Sequence, residues 1–175
     1  MRTIDEIVIR APLDRVFRAA ADIERWPDIL PHYRWVRFLD RRHDDAGTVE
    51  MAAWRPFGPM RYPTWWVSEM TVDRAKREIR YRHLKGITRG MEVAWRFDPR
   101  DDQAVEGVLV TIVHEWPGPG WPLVGRLAAN LVIGPVFIRG IASRTLAGLK
   151  WEVERDRVPR AAGPWSAARG PSKGG

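Results

Sequence analysis

Between residues 34 and 116 the chain is a run of extended segments separated by short turns, and beyond it stands one long amphipathic helix. The segments are 34–41 (RWVRFLDR), 48–55 (TVEMAAWR), 61–73 (RYPTWWVSEMTVD), 77–84 (REIRYRHL), 91–98 (MEVAWRFD) and 104–116 (AVEGVLVTIVHEW). HDDAG, PFGP, Asp73 to Lys76, KGITRG and PRDDQ supply the turns between them. Alternation at residues 4–10, with Ile4, Glu6, Val8 and Arg10 against Asp5, Ile7 and Ile9, adds a seventh strand ahead of the run. Loops this short predict an antiparallel sheet in simple sequential order. One helix cannot cover seven strands by flat stacking. The sheet has to curl around it, and the curl leaves space between helix and sheet that aromatic side chains can line.

The helices can be placed from local signals. Ala11-Pro12 opens the first: proline suits the first helical position, and Asp14 falls where the helix dipole favours an anion. Val16, Phe17, Ala20 and Ile23 recur at helical spacing. Pro27 is expected to hold Trp26 in extended or turn geometry and end that helix, with a second short turn over 27–31 closed by Pro31. PGPG at 117–120 is a hard break. Two helical stretches follow, about 122–133 and 135–155, divided at Gly134-Pro135. In the second, Ile138, Ile141, Ala142, Thr145, Leu149 and Val153 share a face. Residues 156–175, rich in Pro, Gly, Ser, Ala and Arg, read as a disordered basic tail, leaving 1–155 as one domain.

Composition narrows the function classes. The chain has 175 residues, 45% hydrophobic, enough for one domain with a real core. It has no cysteine, which excludes disulfides and thiolate metal sites and fits a cytoplasmic location. The net charge is +7, and three of those excess charges come from Arg157, Arg160, Arg169 and Lys173 against Asp156 in the tail. The other basic residues are interspersed with acids (RRHDD, DRAKRE, DPRDD), the pattern of a solvated surface, and no nucleic-acid motif accompanies them. MRTIDEIVIR has no apolar stretch of signal-peptide type. The most apolar window, 121–138, is interrupted by Arg126, Asn130 and Pro135 and is too short for a membrane span. It reads as a cap on one end of the cavity, or as an apolar portal making transient membrane contact. Ten tryptophans are many for a domain of this size, and tryptophan suits a cavity wall as well as a core.

The stretch EIVIRAPLDRVFRAAADIERWPDILPHYRWVRFL, residues 6–39, resembles the N-terminal signature of the polyketide cyclase/dehydrase family, within the START and Bet v 1-like (SRPBCC) superfamily. The signature is a strand, an Ala-Pro helix start, an apolar-periodic helix, Asp-x-x-x-Trp-Pro and an apolar strand. A weaker match in strand count and final helix extends to about residue 155. The resemblance implies an α+β helix-grip fold: a curved seven-stranded antiparallel sheet wrapped around a long C-terminal helix, with two short helices after the first strand. It also implies that Tyr33 is a pocket tyrosine and that Trp66 and Trp95 are pocket tryptophans. Similar aromatase/cyclases carry an arginine where this chain has Met70. That arginine would polarise a ketone or hold an enolate, so aromatase-type ring closure here requires Arg61, Arg89 or Arg139 to reach the cavity instead.

Period-2 alternation assigns inward faces independently of the resemblance. Trp66, Ser68 and Met70 share one on 61–73, Ile79, Tyr81 and His83 on 77–84, and Met91, Val93, Trp95 and Phe97 on 91–98. On 104–116 the inward set is Val108, Val110, Ile112, His114 and Trp116, which turns Glu115 outward. His114 is the general-base candidate and Tyr33 the proton donor, weighed against ordinary roles as a bonded pocket histidine and a rim side chain. The ligand contacts expected are Trp66, Ser68, Met70, Tyr81, His83, Trp95, Phe97, Ile112 and Ile141. His32 and His43 read as loop residues. No histidine pair stands at metal-ligand spacing, and no phosphate-binding glycine loop is present, so no metal or cofactor is expected. The chain is expected to bind a hydrophobic small molecule of polyketide, aromatic or isoprenoid type, as an enzyme or as a non-catalytic lipid or quinone carrier. It is expected to take no specific nucleic acid and to be a monomer or homodimer.

Overall fold

The structure, a computed structural model, describes residues 1–43, 45–57, 60–102, 105–118 and 139–155. The expected helix over 122–133, the apolar window 121–138 and the tail 156–175 lie outside the described residues. In chain order the elements are β1 (Arg2–Ile9), α1 (Leu13–Ala21), a 3₁₀ turn (Ile23–Arg25), α2 (Trp26–Ile29), β2 (Tyr33–His43), β3 (Ala46–Phe57), β4 (Met60–Asp73), β5 (Glu78–Gly86), β6 (Glu92–Asp102), β7 (Val105–Glu115) and α3 (Arg139–Arg155).

All seven strands join one curved antiparallel sheet in the order β1-β7-β6-β5-β4-β3-β2, the helix-grip arrangement. The simple sequential order expected from the short loops therefore holds only for β2 to β7. β1 pairs with β7, Ile7 opposite Val110 and Thr3 opposite His114. The physical reason lies between β1 and β2. The two helices there carry the chain away from the first strand, so no hairpin joins them, and the β7 edge is left open for β1. Register shifts in β2–β3 and β4–β5 mark where the ladder bends.

Alternation decides which side of each strand enters the core. Ile9 is buried while Ile4 and Val8 lie 46% and 45% exposed on the outer face. Val108, Val110, Ile112, His114 and Trp116 are all buried, and Glu115 points out to pair with Arg2 at 3.1 Å. The outer face of the sheet is a lattice of ion pairs: Glu69 takes both Arg42 and Arg82 at 2.7 Å, and Glu78 takes Arg80 and Arg96.

α1 has Pro12 at its N-cap and buries Val16, Phe17 and Ala20. The helix ends at Asp22 (φ −81°, ψ 65°), and Trp26 is itself helical (φ −58°, ψ −39°). Pro27 therefore opens a short helix and does not end one. In that first turn its missing N–H leaves no bond unmade. Burial of Trp26, whose Nε1 donates to the Ala19 carbonyl at 3.3 Å, overrides the usual extended preference before proline. Leu30, fully buried, seats this corner under α3, where Gly148 makes room for it. α3 buries Ala142, Thr145, Leu146, Leu149 and Val153. Its C-terminal half is tied to the end of β1 by Lys150 donating to the Val8 carbonyl (2.6 Å) and by the Arg10 amide donating to Glu154 (2.7 Å).

Candidate functional site

Between the concave face of the sheet and α3 lies a cavity of about 60 Å³. Its wall is built from aromatic rings contributed by five separate elements. Trp95 on β6 lies 5.6 Å from Trp26 at the head of α2, and Trp26 meets Tyr33 edge-on at 5.2 Å. Tyr33, at the start of β2, reaches Trp66 on β4 at 6.3 Å, and Trp66 stacks on His83 of β5 at 6.0 Å and 15°. These five rings form one continuous arc, and all five line the cavity. Met51, Met91, Val93 and Ile112 fill the sheet side between them, and Ile141, Ala142 and Thr145 close it from α3.

The polar groups within this apolar wall are few. The Tyr33 hydroxyl stands 3.5 Å from Thr145 Oγ1, which in turn is 3.0 Å from His32 Nε2. His32 is thus part of a chain of polar contacts running from the side of the domain to the cavity tyrosine, with its ring 4.7 Å from that of Tyr33. His83 is held by Thr88 through Nδ1, at 2.7 Å, with both residues buried. His114 is buried and lines the cavity from β7. Tyr81 is 6% exposed, lines the cavity from β5, and its hydroxyl has no hydrogen-bond partner among the described residues. Burial pushes the Tyr81 phenol well above its ordinary value of 10, with Tyr33 nearby adding to the effect. It stays neutral and keeps its proton.

Of the residues singled out in the sequence, Tyr33, Trp66, Tyr81, His83, Trp95, Ile112, His114 and Ile141 come together around this one space. Ser68, Met70 and Phe97 are buried but do not line it. Phe97 instead backs the wall, 6.4 Å from Trp95 and edge-on to Phe17 at 4.9 Å. The inward face of a strand is longer than the cavity. Alternation alone cannot say which inward residues touch space and which touch α1. Trp26, Met51 and Thr145 are lining residues that sequence reasoning did not assign to the site. Met51 carried the signal, alternating with Thr48 and Glu50 on 48–55. His32, read as a loop residue, bonds to α3.

No arginine or lysine lines the cavity among the described residues. Arg61 and Arg89 are exposed, and the side chain of Arg139 lies outside what the structure describes. Among the described residues no cluster of His, Asp and Glu could hold a metal ion, and no helix is long and apolar enough to cross a membrane.

Comparison with known proteins places this geometry in a family. The family model described as "Polyketide cyclase / dehydrase and lipid transport" matches residues 9–136. A protein of Streptomyces cyaneus named "Putative polyketide cyclase" is 34% identical over 107 residues, covering 57% of this chain and 64% of that protein. The chain thus spans under two thirds of that relative's length. Among solved structures, the Zhui aromatase/cyclase of Streptomyces sp. R1128 superposes with a TM-score of 0.71 at 22% identity, over 93% of this chain and 98% of that one. A START superfamily protein of Mycobacterium smegmatis gives 0.61 at 15% identity, over 88% and 97%. At these identities the two structures share the fold.

Proposed function

The chain belongs to the polyketide cyclase / dehydrase and lipid transport family, and from that premise we propose that it binds a hydrophobic small molecule of polyketide, aromatic or isoprenoid type between the sheet and α3. The observation that carries this reading is the arc of five rings, Trp95, Trp26, Tyr33, Trp66 and His83, around one apolar space. Aromatic faces offer a planar guest stacking partners without fixing its orientation. The cavity is small for a polyketide. Met51 and Met91, unbranched and adaptable, are the side chains best able to yield to a larger guest.

Within this reading Tyr33 and His114 are the groups that move protons in a cyclisation or dehydration, His114 as base and Tyr33 as donor, with Thr145 and His32 positioning Tyr33. A specific observation favours a second reading, carriage without chemistry. The resemblance implies an arginine at the position of Met70, and no cation among the described side chains lines the cavity to hold an enolate.

Calorimetric titration with tetralin, a neutral bicyclic hydrocarbon, tests the binding site. Saturable binding by the native chain that weakens in both Trp66→Ala and Trp95→Ala is expected. No binding, or binding indifferent to both substitutions, would sink the cavity reading. Native mass spectrometry of protein purified from its own host then separates the two roles: a co-purifying lipid or quinone supports the carrier.

A further inference from the structure

Most of the polar groups facing the cavity already hold protein partners. Tyr33 stands beside Thr145, and His83 is bonded to Thr88. Tyr81 differs. Its side chain comes off the middle of β5, opposite Met70 on one side and Val93 on the other, so it enters from the floor of the sheet. It is 6% exposed, and its hydroxyl is buried with no hydrogen-bond partner among the described residues. Buried hydroxyls in folded proteins are nearly always bonded, because an unmet donor forfeits its bond to water and receives nothing in return. An orphan carried by a residue that lines the cavity is most simply completed by the ligand.

We propose that Tyr81 donates a hydrogen bond to a neutral oxygen of the bound molecule, a ketone, quinone or ester carbonyl, and so selects oxygenated guests over plain hydrocarbons. The inference rests on the cavity reading above and adds the chemistry of the guest. A neutral acceptor is specified by the surroundings. No lysine or arginine among the described side chains lines the cavity, so a carboxylate would be stripped of water against Trp66, Trp95 and Ile112 with a single phenol to meet it. The phenol, held in its protonated form by burial, has a proton to give and no protein acceptor for it among the described residues. A ketone placed here would lie against the ring arc while its oxygen points at the sheet floor.

The test uses two probes of matched shape, tetralin and 1-tetralone, which differ by a CH2 against a C=O. Dissociation constants are measured by calorimetry for the native chain and for Tyr81→Phe. The Phe variant is expected to lose about tenfold in affinity for 1-tetralone and less than twofold for tetralin, the coupling of one hydrogen bond. Equal losses for the two probes would overturn the proposal, leaving Tyr81 as a packing residue or one bonded to water. A measurement that needs no variant is the infrared carbonyl stretch of carbonyl-13C 1-tetralone bound to the native chain. It should fall below its value in hexane, and a stretch at the hexane value overturns the proposal as well. If tetralin binds but Tyr81 shows no coupling, this inference fails and the cavity stands. If neither probe binds, both fall.

Discussion

The indole rings of Trp26 and Trp95 lie 5.6 Å apart at 36°, joining the corner after the first helix to the centre of the sheet. This contact makes the Trp-Pro corner part of the cavity wall as well as a turn. Trp95→Ala should weaken tetralin binding by about 1–3 kcal/mol, the worth of one large apolar surface. Trp26→Ala should weaken binding similarly and also cost about 3–5 kcal/mol of stability, since Trp26 is 2% exposed and bonds to Ala19. Calorimetry and urea unfolding check the two effects separately. Loss of stability with unchanged binding would mean that Trp26 is core alone.

His114 distinguishes an enzyme from a carrier. With its ring buried at the cavity, His114→Ala should leave affinity for an apolar probe within about 0.5–1.5 kcal/mol of the native value, the scale of one hydrogen bond. If the chain is a cyclase, turnover of a poly-β-ketone should fall about 100-fold or more while binding persists. Unchanged turnover would remove His114 from the chemistry.

Glu78 ties stability to acid. Its carboxylate is 8% exposed and receives Arg80 at 2.8 Å and Arg96 at 3.3 Å. Burial by itself would raise the carboxyl, but the two guanidinium hydrogen bonds outweigh it and hold the group below its ordinary 4.5. A folded value depressed below the unfolded one means stability that is present above pH 4.5 and is lost as pH falls through the folded value. Glu78→Gln should therefore be less stable than the native chain by about 1 kcal/mol at pH 7. The gap should close in acid. Urea unfolding at pH 7, 5 and 3.5 reads this directly, and a gap that stays constant with pH would refute the assignment.

Gly148 marks the closest approach of α3 to the α2 corner. A Cβ there would run into the Leu30 side chain, which is fully buried and has little room to turn away. Alanine normally gains about 0.5–1 kcal/mol over glycine inside a helix, but overpacking costs about 1–3 kcal/mol. Gly148→Ala should thus be net destabilising, and combining it with Leu30→Ala should recover part of the loss. A stabilised Gly148→Ala would show that the corner can shift without penalty.

The local signals on this chain carried a great deal. Period-2 alternation is a property of the strand backbone, so it put Trp66, Tyr81, Trp95 and His114 on the inward side without knowledge of any neighbour. The Ala-Pro helix start is equally local. What required the folded chain was every relationship between elements distant in sequence. β1 lies beside β7 because two helices separate it from β2, which no strand pattern encodes. Trp26 stays helical before Pro27 because burial against Tyr33 and Trp95 outweighs a modest backbone preference. His32 does lie in the turn between α2 and β2, but its partner appears only where α3 brings Thr145 to within 3.0 Å of it. Inward residues divided into those that meet the cavity, such as Tyr81, and those that meet packed core, such as Phe97, only where α1 and α3 come to rest. Side-chain direction is written in the strand itself, whereas the partners a side chain finds depend on where distant elements pack.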